Sequence, residues 1–273
     1  MQRLWFVTNP ASGSATPARC EAIEAIFAER GLELAGKTGF PDEPLPDIAA
    51  LDAAGVDTLV LFAGDGTINA ALCSLATWDG GFLILPGGTM NMLARALHGE
   101  RSPAEIVHAA HAAERRIALP FVEAGAHRAF VGLVLGPGGN WFRPREMVRK
   151  GRFRRVIGAV RQAWRRTFRD HVRVGGAPGL TQRYQAIFIT GHEDGLDVAG
   201  IDARDWRSIA ELGWDWLTGD WVAARAVTET RARELRVLGR KPALALFDGE
   251  PQTLEPKAVI ASGMSRAAFL ATE

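Results

Sequence analysis

Two glycine-rich turns carry the groups in this chain that could do chemistry. One spans residues 62–67 (FAGDGT) and the other spans residues 86–91 (PGGTMN). Each turn follows a short apolar run and leads into a stretch with helical spacing. A turn between a buried parallel strand and a helix directs backbone N–H groups, and the positive end of the helix dipole, at the carboxyl edge of the sheet. Glycine lets that backbone approach a phosphate closely, so both turns predict a phosphate site.

Asp65 is the unusual member of the turn over residues 62–67. A carboxylate among phosphate-facing amides would repel an anionic ligand unless a cation or a proton transfer accounts for it. The turn therefore predicts metal-assisted phosphoryl chemistry. The alternative is a tight loop in which Asp or Thr caps a helix. The turn over residues 86–91, which has a similar strand-to-helix context, favours the phosphate site.

The elements that position these turns alternate between strand and helix. The patterns predict strands over residues 4–7, 32–35, 58–61 and 82–85, helices over 17–30, 47–54, 90–97 and 102–113, and a short loop over 37–39. Such alternation is typical of a parallel sheet with right-handed crossovers. Another polar turn, residues 9–14 (NPASGS), follows the first strand. All three turns should lie at the carboxyl edge, where open α/β sheets bind ligands.

The pattern changes after residue 113. Apolar runs separated by turns predict strands over residues 116–119, 129–134, 184–189, 234–238 and 243–247. Because few helices lie between these runs, they favour a second, mainly antiparallel domain. We predict an α/β domain over residues 1–116 and a second domain over 117–262, with a cleft between them. The tail over 263–273 could return to the first domain.

Length and composition allow one large domain or two of ordinary size. The chain has 273 residues, of which 47% are hydrophobic and 23% charged, and its net charge is +1. This is typical of a soluble globular protein and provides no global field for nucleic acid. Cys20 and Cys73 lack metal-ligand spacing and indicate inert thiols in a reducing compartment. Without a signal-peptide core or an apolar run of about eighteen residues, we expect a cytoplasmic protein whose membrane contact is peripheral.

Four motifs occur along the chain. They are Asn9-Pro10-x-Ser12-Gly13, Gly64-Asp65-Gly66-Thr67, Pro86-x-Gly88-Thr89-x-Asn91 and Asp248-Gly249-Glu250. Together they resemble the diacylglycerol kinase catalytic-domain family, whose small bacterial members are soluble lipid kinases. The resemblance implies an α/β nucleotide-binding domain, similar to that of phosphofructokinases and NAD kinases, followed by a mainly antiparallel β-sandwich domain. It also implies ATP and Mg²⁺ in the cleft.

The same resemblance implies roles for individual residues. ATP would be contacted by residues of the three turns and by a threonine after the second strand, namely Asn9, Ser12, Gly13, Thr38, Gly64, Gly66, Thr67, Gly88, Thr89 and Asn91. Asp65 and Glu250 would be catalytic, with Asp65 organising metal and phosphates and Glu250 accepting the proton of a lipid hydroxyl. An isolated Asp-Gly-Glu is commonly just a hairpin turn, so Glu250 gains its role only from the nucleotide motifs.

Other stretches match the family less completely. Residues 192–196 (HEDGL) resemble a segment that binds a structural Mg²⁺ through an Asp and main-chain oxygens, which implicates Asp194 and Leu196; a solvated acidic loop is the alternative. Ala63 replaces a glycine of the family and requires a negative φ. Residues 136–140 (GPGGN) lack the carboxylate of the family's Gly-x-Asp-Ala, which leaves the acceptor lipid open.

A basic stretch follows in the second domain. Residues 143–173 contain twelve Arg or Lys against Glu146 and Asp170, a net charge of +10. Apolar residues at helical spacing predict an amphipathic helix near 152–169, which could lie on an anionic lipid surface or simply cover the second domain. Four tryptophans between 206 and 221 indicate a membrane-interface anchor, a substrate-lining wall or ordinary core packing.

The leading interpretation is an ATP-dependent lipid kinase of phospholipid metabolism, cytoplasmic and peripheral at the inner membrane surface. It would transfer the γ-phosphoryl group of ATP to a hydroxyl of a diacylglycerol- or sphingoid-like lipid. Two alternatives remain open: a kinase of a soluble hydroxyl compound, like the NAD kinases that share GDGT, and a lipid-binding regulatory module without turnover. Nucleic acid is not an expected partner, and the sequence leaves a homodimer open.

Overall fold

The computed structural model describes residues 1–136, 171–201 and 227–273. Over these residues the chain forms two compact units. The first contains Met1–Pro120 and Met264–Glu273, and the second contains Phe121–Gly263. The basic helix predicted near 152–169, residues 137–140 and the four tryptophans Trp206, Trp214, Trp216 and Trp221 lie outside the described residues.

Strands and helices alternate in the first unit, and strands follow one another in the described part of the second. The helices are α1 (Pro17–Glu29), α2 (Ile48–Ala53), α3 (Asp65–Ser74), α4 (Met92–His98) and α5 (Pro103–Ala113). The strands are β1 (Arg3–Thr8), β2 (Glu33–Gly39), β3 (Thr58–Ala63), β4 (Gly81–Pro86), β5 (Arg116–Ile117), β6 (Pro120–Ala124), β7 (His127–Ala129), β8 (Leu133–Leu135), β9 (Arg173–Gly175), β10 (Ala186–His192), β11 (Gly195–Ile201), β12 (Val227–Ala232), β13 (Glu234–Leu238), β14 (Ala243–Phe247), β15 (Glu250–Leu254), β16 (Val259–Met264) and β17 (Ala268–Leu270).

The first unit is built on one largely parallel sheet. Within the described residues its strand order is β2-β1-β3-β4-β17-β5, and only β5 runs antiparallel to its neighbour. Every residue of β3 is buried, as expected of a parallel strand with both faces covered. The parallel α/β domain predicted from the alternation of elements is confirmed.

Local sequence explains where the helices of this unit begin. Pro17 occupies the first turn of α1, where an N–H group would have no helical partner. Ser102 and Glu105 form a capping box at the start of α5. Buried apolar side chains then hold the helices to the sheet, and the rings of Phe6 in β1 and Phe27 in α1 meet edge-on at 5.5 Å. Full burial of one such side chain contributes about 1.5–3 kcal/mol to stability.

Some predicted element boundaries are wrong. Residues 37–39, predicted as a loop, form the end of β2, because they continue the parallel ladder beside β1. The strand predicted over 129–134 is divided into β7 and β8, because the N–H groups of residues 130–132 bind the Asp248 carboxylate. Cys20 is buried and Cys73 is half-buried, and no disulfide joins the two residues.

The second unit contains two sheets. Among its described residues, one sheet has the order β12-β11-β10-β8-β14-β15 with antiparallel neighbours throughout, and the other has the order β7-β6-β16-β13-β9. A single hydrophobic cluster draws residues from both sheets, for example Leu133 and Ile187 from the first and Leu235 and Ile260 from the second. The predicted antiparallel β domain is therefore also confirmed. Across the described part of the chain, no helix has the length and apolar character needed to cross a bilayer.

Candidate functional site

The three turns identified in the sequence follow neighbouring parallel strands. In chain order, the first turn (residues 9–14) begins with Asn9 directly after β1, the second turn (62–67) has Gly64 directly after β3, and the third turn (86–91) has Gly87 directly after β4. Because these strands are adjacent and parallel, the turns meet at one edge of the sheet. The predicted site residues that the turns bring to this edge are Asn9, Ser12, Gly13, Gly64, Asp65, Gly66, Thr67, Gly88, Thr89 and Asn91.

Asn9 ties the first turn to the second. Its Nδ2 donates a hydrogen bond to Thr67 Oγ1 at 2.8 Å, and its Oδ1 accepts from the Ala11 N–H at 2.9 Å. Since an amide nitrogen can only donate, the hydroxyl hydrogen of Thr67 points to another acceptor. Ser12 is arranged differently, because its hydroxyl donates to the Asn9 carbonyl at 2.5 Å. Thr67 is thus the better placed of the two hydroxyls to donate to an anion.

Asp65 ties the second turn to the third. Its carboxylate accepts hydrogen bonds from the Asn91 N–H at 3.0 Å and the Met92 N–H at 2.7 Å, at the start of α4. Burial raises the pKa of Asp65, although the N–H groups of Met92 and Asn91 act in the opposite direction. Both carboxylate oxygens are therefore engaged by backbone donors, and the side chain braces two turns against each other.

The third turn contacts the other two through glycines and Asn91. Asn91 has a left-handed backbone (φ 51°), and its Oδ1 accepts from the Gly88 N–H at 2.7 Å. A Cβ on Gly88 would lie 2.7 Å from Gly64 Cα, and one on Gly87 would lie 2.5 Å from the Ala63 nitrogen. Gly87 therefore matters as much for the close approach as Gly88, although the motif did not single it out. Ala63 ends β3 without a positive φ, which is the condition for replacing the family's glycine.

The start of α3 faces this edge without a side-chain cap. Gly64 is the N-cap residue of α3 and, being glycine, has no side chain to cap the helix. The first N–H groups of any helix lack an acceptor inside the helix and carry the positive end of its dipole. The Asp65 carboxylate also accepts from the N–H groups of Asn91 and Met92 at the start of α4, so it does more than cap its own helix. The open start of α3, flanked by glycine, is a backbone arrangement that fits a phosphate.

Thr38 lies near the carboxyl end of β2, beside β1. Its side chain is only 4% exposed, and its Oγ1 accepts a hydrogen bond from the Trp5 indole Nε1 at 3.0 Å. The Trp5 ring also covers Gly36, where a Cβ would lie 2.5 Å from the ring. Sequence reasoning missed Trp5. The available signal was a tryptophan in β1 opposite a glycine in a neighbouring strand.

Glu250 is the exposed first residue of β15, in the second unit. It follows a two-residue turn in which Asp248 (φ 47°) and Gly249 (φ 88°) both have left-handed backbones. This is the geometry that joins antiparallel strands with the tightest hairpins, and Phe247 of β14 pairs with Glu250 of β15. The hairpin interpretation of Asp-Gly-Glu is thus correct as geometry, and it places Glu250 immediately beyond the turn.

The predicted metal ligands lie at another hairpin. Asp194 is exposed in the turn between β10 and β11, and Leu196 is buried in β11. The nearby Asp197 pairs with Arg231 Nε at 2.8 Å and His192 Nε2 at 3.0 Å. Over residues 1–136, 171–201 and 227–273, no three His, Cys, Asp or Glu side chains gather to hold a metal. The predicted site draws instead on Asp194 and main-chain oxygens, so Mg²⁺ binding at Asp194 and Leu196 stays a prediction.

Comparison with known families identifies the region that carries the turns. Residues 3–121 match the family model of the diacylglycerol kinase catalytic domain. The matched stretch of this kinase domain includes all three turns and Thr38, so the family indicated by the motifs is confirmed there. The family implies a phosphotransferase of the diacylglycerol kinase type. Asp194, Leu196 and Glu250 lie outside the matched stretch.

Solved structures agree with the fold of this kinase domain and of the unit that follows it. A diacylglycerol kinase from Bacillus anthracis str. Sterne is 13% identical with a TM-score of 0.67, and the match covers 99% of this chain and 97% of that chain. "A putative diacylglycerol kinase" from the same organism is 16% identical with a TM-score of 0.71 and the same coverage. At such identities the likeness shows the fold alone. No curated protein matches the sequence.

Proposed function

We propose that this protein is an ATP:lipid phosphotransferase. It transfers the γ-phosphoryl group of ATP to a hydroxyl of a diacylglycerol- or sphingoid-like lipid. One observation carries the proposal: three turns within the matched kinase domain are held together by Asn9 and Asp65 around the uncapped start of α3. A rigid edge of backbone donors stabilises the charge of a phosphoryl group without having to reorganise during the reaction.

The chain's own residues would bind ATP through this edge. The phosphates would lie against the first N–H groups of α3, where Gly64 and Gly88 leave room for close approach. Thr67, whose hydroxyl hydrogen is directed away from Asn9, would donate to a phosphate oxygen. Asp65 would act as a positioning residue that keeps the second and third turns in register. Ser12, Gly13, Gly66, Thr89 and Asn91 line the same turns, and Thr38 would bind another part of the nucleotide.

Glu250 would accept the proton of the lipid hydroxyl. The hydroxyl oxygen forms a bond to the γ-phosphorus while the bond from that phosphorus to the β,γ-bridging oxygen breaks. The products are the phosphorylated lipid and ADP, and the proton moves to the Glu250 carboxylate. A divalent metal such as Mg²⁺ would enter as part of the ATP substrate and neutralise charge on its phosphates.

A transfer assay with labelled ATP tests this function. The protein is given lipid extract in anionic or neutral vesicles, or NAD as a soluble acceptor. We expect label in lipid and a higher rate on anionic vesicles, because the basic stretch 143–173 would hold a cytoplasmic protein at an anionic inner membrane surface. Label in NAD would instead support the soluble-acceptor kinase, and lipid binding without transfer would support the regulatory module.

Two variants test the residue roles. We expect Glu250→Gln and Asp65→Asn to remove transfer, the first by loss of the proton acceptor and the second by loss of a carboxylate oxygen that holds the third turn. Glu255→Gln, an exposed carboxylate near the end of the same hairpin, is the matched control and should keep full activity. Near-normal turnover of folded Glu250→Gln or Asp65→Asn would refute the corresponding role.

A further inference from the structure

The Asp248 carboxylate is buried and forms more bonds than its turn requires. The residue is 5% exposed, and its carboxylate accepts from the N–H groups of Phe130 at 2.8 Å, Val131 at 2.8 Å and Gly132 at 3.0 Å. Its own N–H donates to the Gly132 carbonyl at 3.1 Å. Three backbone donors on one carboxylate form a strong, charge-assisted anchor.

This anchor joins segments that are far apart in sequence. Residues 130–132 connect β7 to β8, more than a hundred positions before Asp248. β14 pairs with β8 on one side, where Phe247 lies opposite Leu133, and with β15 on the other, where Phe247 lies opposite Glu250. The anchor thus extends the β8–β14 pairing into the turn and fixes the point from which Glu250 emerges.

A turn-forming role alone does not account for these contacts. Asp is common in two-residue hairpin turns because it tolerates a left-handed backbone, which Asn and Gly also do. Such a role leaves the side chain free to face water. Here the side chain is buried and its carboxylate binds another segment, so the residue does more than permit the turn.

We propose that Asp248 is the positioning residue for the Glu250 carboxylate. This inference rests on the proposed function of Glu250. By clamping the turn to residues 130–132, Asp248 sets the position of the side chain two residues later, so that its oxygen meets the lipid hydroxyl. Loss of the clamp should slow transfer while leaving ATP binding intact, because the ATP-contacting residues belong to the other unit.

Two substitutions separate the anchor from the turn. Asp248→Asn keeps one acceptor oxygen, and Asp248→Gly keeps the left-handed backbone but removes the anchor. We expect kcat to fall about 10-fold in the first and about 100-fold in the second, the loss typical of a misplaced catalytic group, with KM for ATP within about twofold. Lys257→Gly, at another left-handed turn residue (φ 68°) of the same unit, is the control and should match the native enzyme.

Each outcome decides the inference. A folded Asp248→Gly with native kcat, or a rise in KM for ATP at unchanged kcat, overturns it. If Asp248→Gly does not fold, Asp248→Asn decides alone, and native kcat in that variant overturns the inference. The Glu250→Gln variant tests the proposed function separately. If this variant turns over, Glu250 is not the proton acceptor. If it is inactive while both Asp248 variants are fully active, only the positioning role of Asp248 is refuted.

Discussion

Gly64 and Gly88 face each other across the second and third turns, and alanine at each position should have a different effect. A Cβ on Gly88 would lie 2.7 Å from Gly64 Cα. Ordinary carbon contacts are about 3.5–4.0 Å, so the turns would have to separate by about 1 Å. We expect Gly88→Ala to lower the free energy of unfolding by about 1–3 kcal/mol, the usual cost of overpacking.

A Cβ on Gly64 would meet only ordinary contacts, 3.4 Å from Ser12 Cβ and 3.7 Å from Gly88 Cα. The backbone there (φ −81°, ψ 164°) is one that alanine adopts freely. Alanine lowers the entropy of the unfolded chain but is a poorer N-cap than glycine, so the two effects should offset to within about 1 kcal/mol. The new methyl would nevertheless occupy the space between the three turns, where a phosphate needs the backbone.

Chemical unfolding and steady-state kinetics on both variants test this reasoning. We expect Gly64→Ala to unfold like the native protein and yet to raise KM for ATP at least about 10-fold, since about 1.4 kcal/mol of binding corresponds to a factor of ten. Gly88→Ala should lose both stability and ATP binding. If Gly64→Ala keeps native stability and native KM for ATP, the glycine does not serve phosphate access, and the proposed position of the phosphates is wrong.

Two further predictions concern hydrogen bonds at buried groups. Trp5→Phe keeps a ring over Gly36 but removes the indole N–H that binds the Thr38 hydroxyl. We expect KM for ATP to rise, and this rise should not be additive with the rise caused by Thr38→Val. Strict additivity in the double-mutant cycle would contradict the coupling. Burial, helped by the positive charge of Arg101, lowers the pKa of His98 to about 4. Because the folded protein keeps His98 neutral, its free energy of unfolding falls by up to about 3 kcal/mol as the pH decreases from about 6.5 to about 4. In His98→Gln, the free energies of unfolding at pH 7 and pH 5 should differ less than in the native protein. An unchanged pH dependence in that variant would contradict this assignment.

The sequence contains enough to predict the fold class and the place of the three turns. Alternating apolar and helical patterns indicate a parallel sheet, and turns after parallel strands must gather at one edge. The partners of individual side chains are not encoded in such local patterns. The predicted role of Asp65 comes from its motif, whereas the contacts of its oxygens with the N–H groups of Asn91 and Met92 depend on how two turns pack.

The same limit applies to strands whose ends depend on distant residues. Residues 37–39 look like a loop because of their lysine and glycine, but the ladder with β1 extends β2 through them. Residues 130–132 have strand-like composition, but a carboxylate more than a hundred residues later takes their N–H groups. Tertiary contacts override local propensity in both places. The roles of all the predicted site residues stay predictions, and Glu250, Asp194 and Leu196 also lie outside the matched residues 3–121.

β17 makes the first unit discontinuous in sequence. Residues 268–270 lie between β4 and β5, so the chain leaves this unit after Pro120 and supplies one of its inner strands only after Met264. While the ribosome is still making the intervening residues, β4 has an open edge that could pair with another nascent chain. The sheet of the first unit is therefore completed only when β17 has been made, and a fragment that ends at residue 120 would leave this edge of β4 without β17.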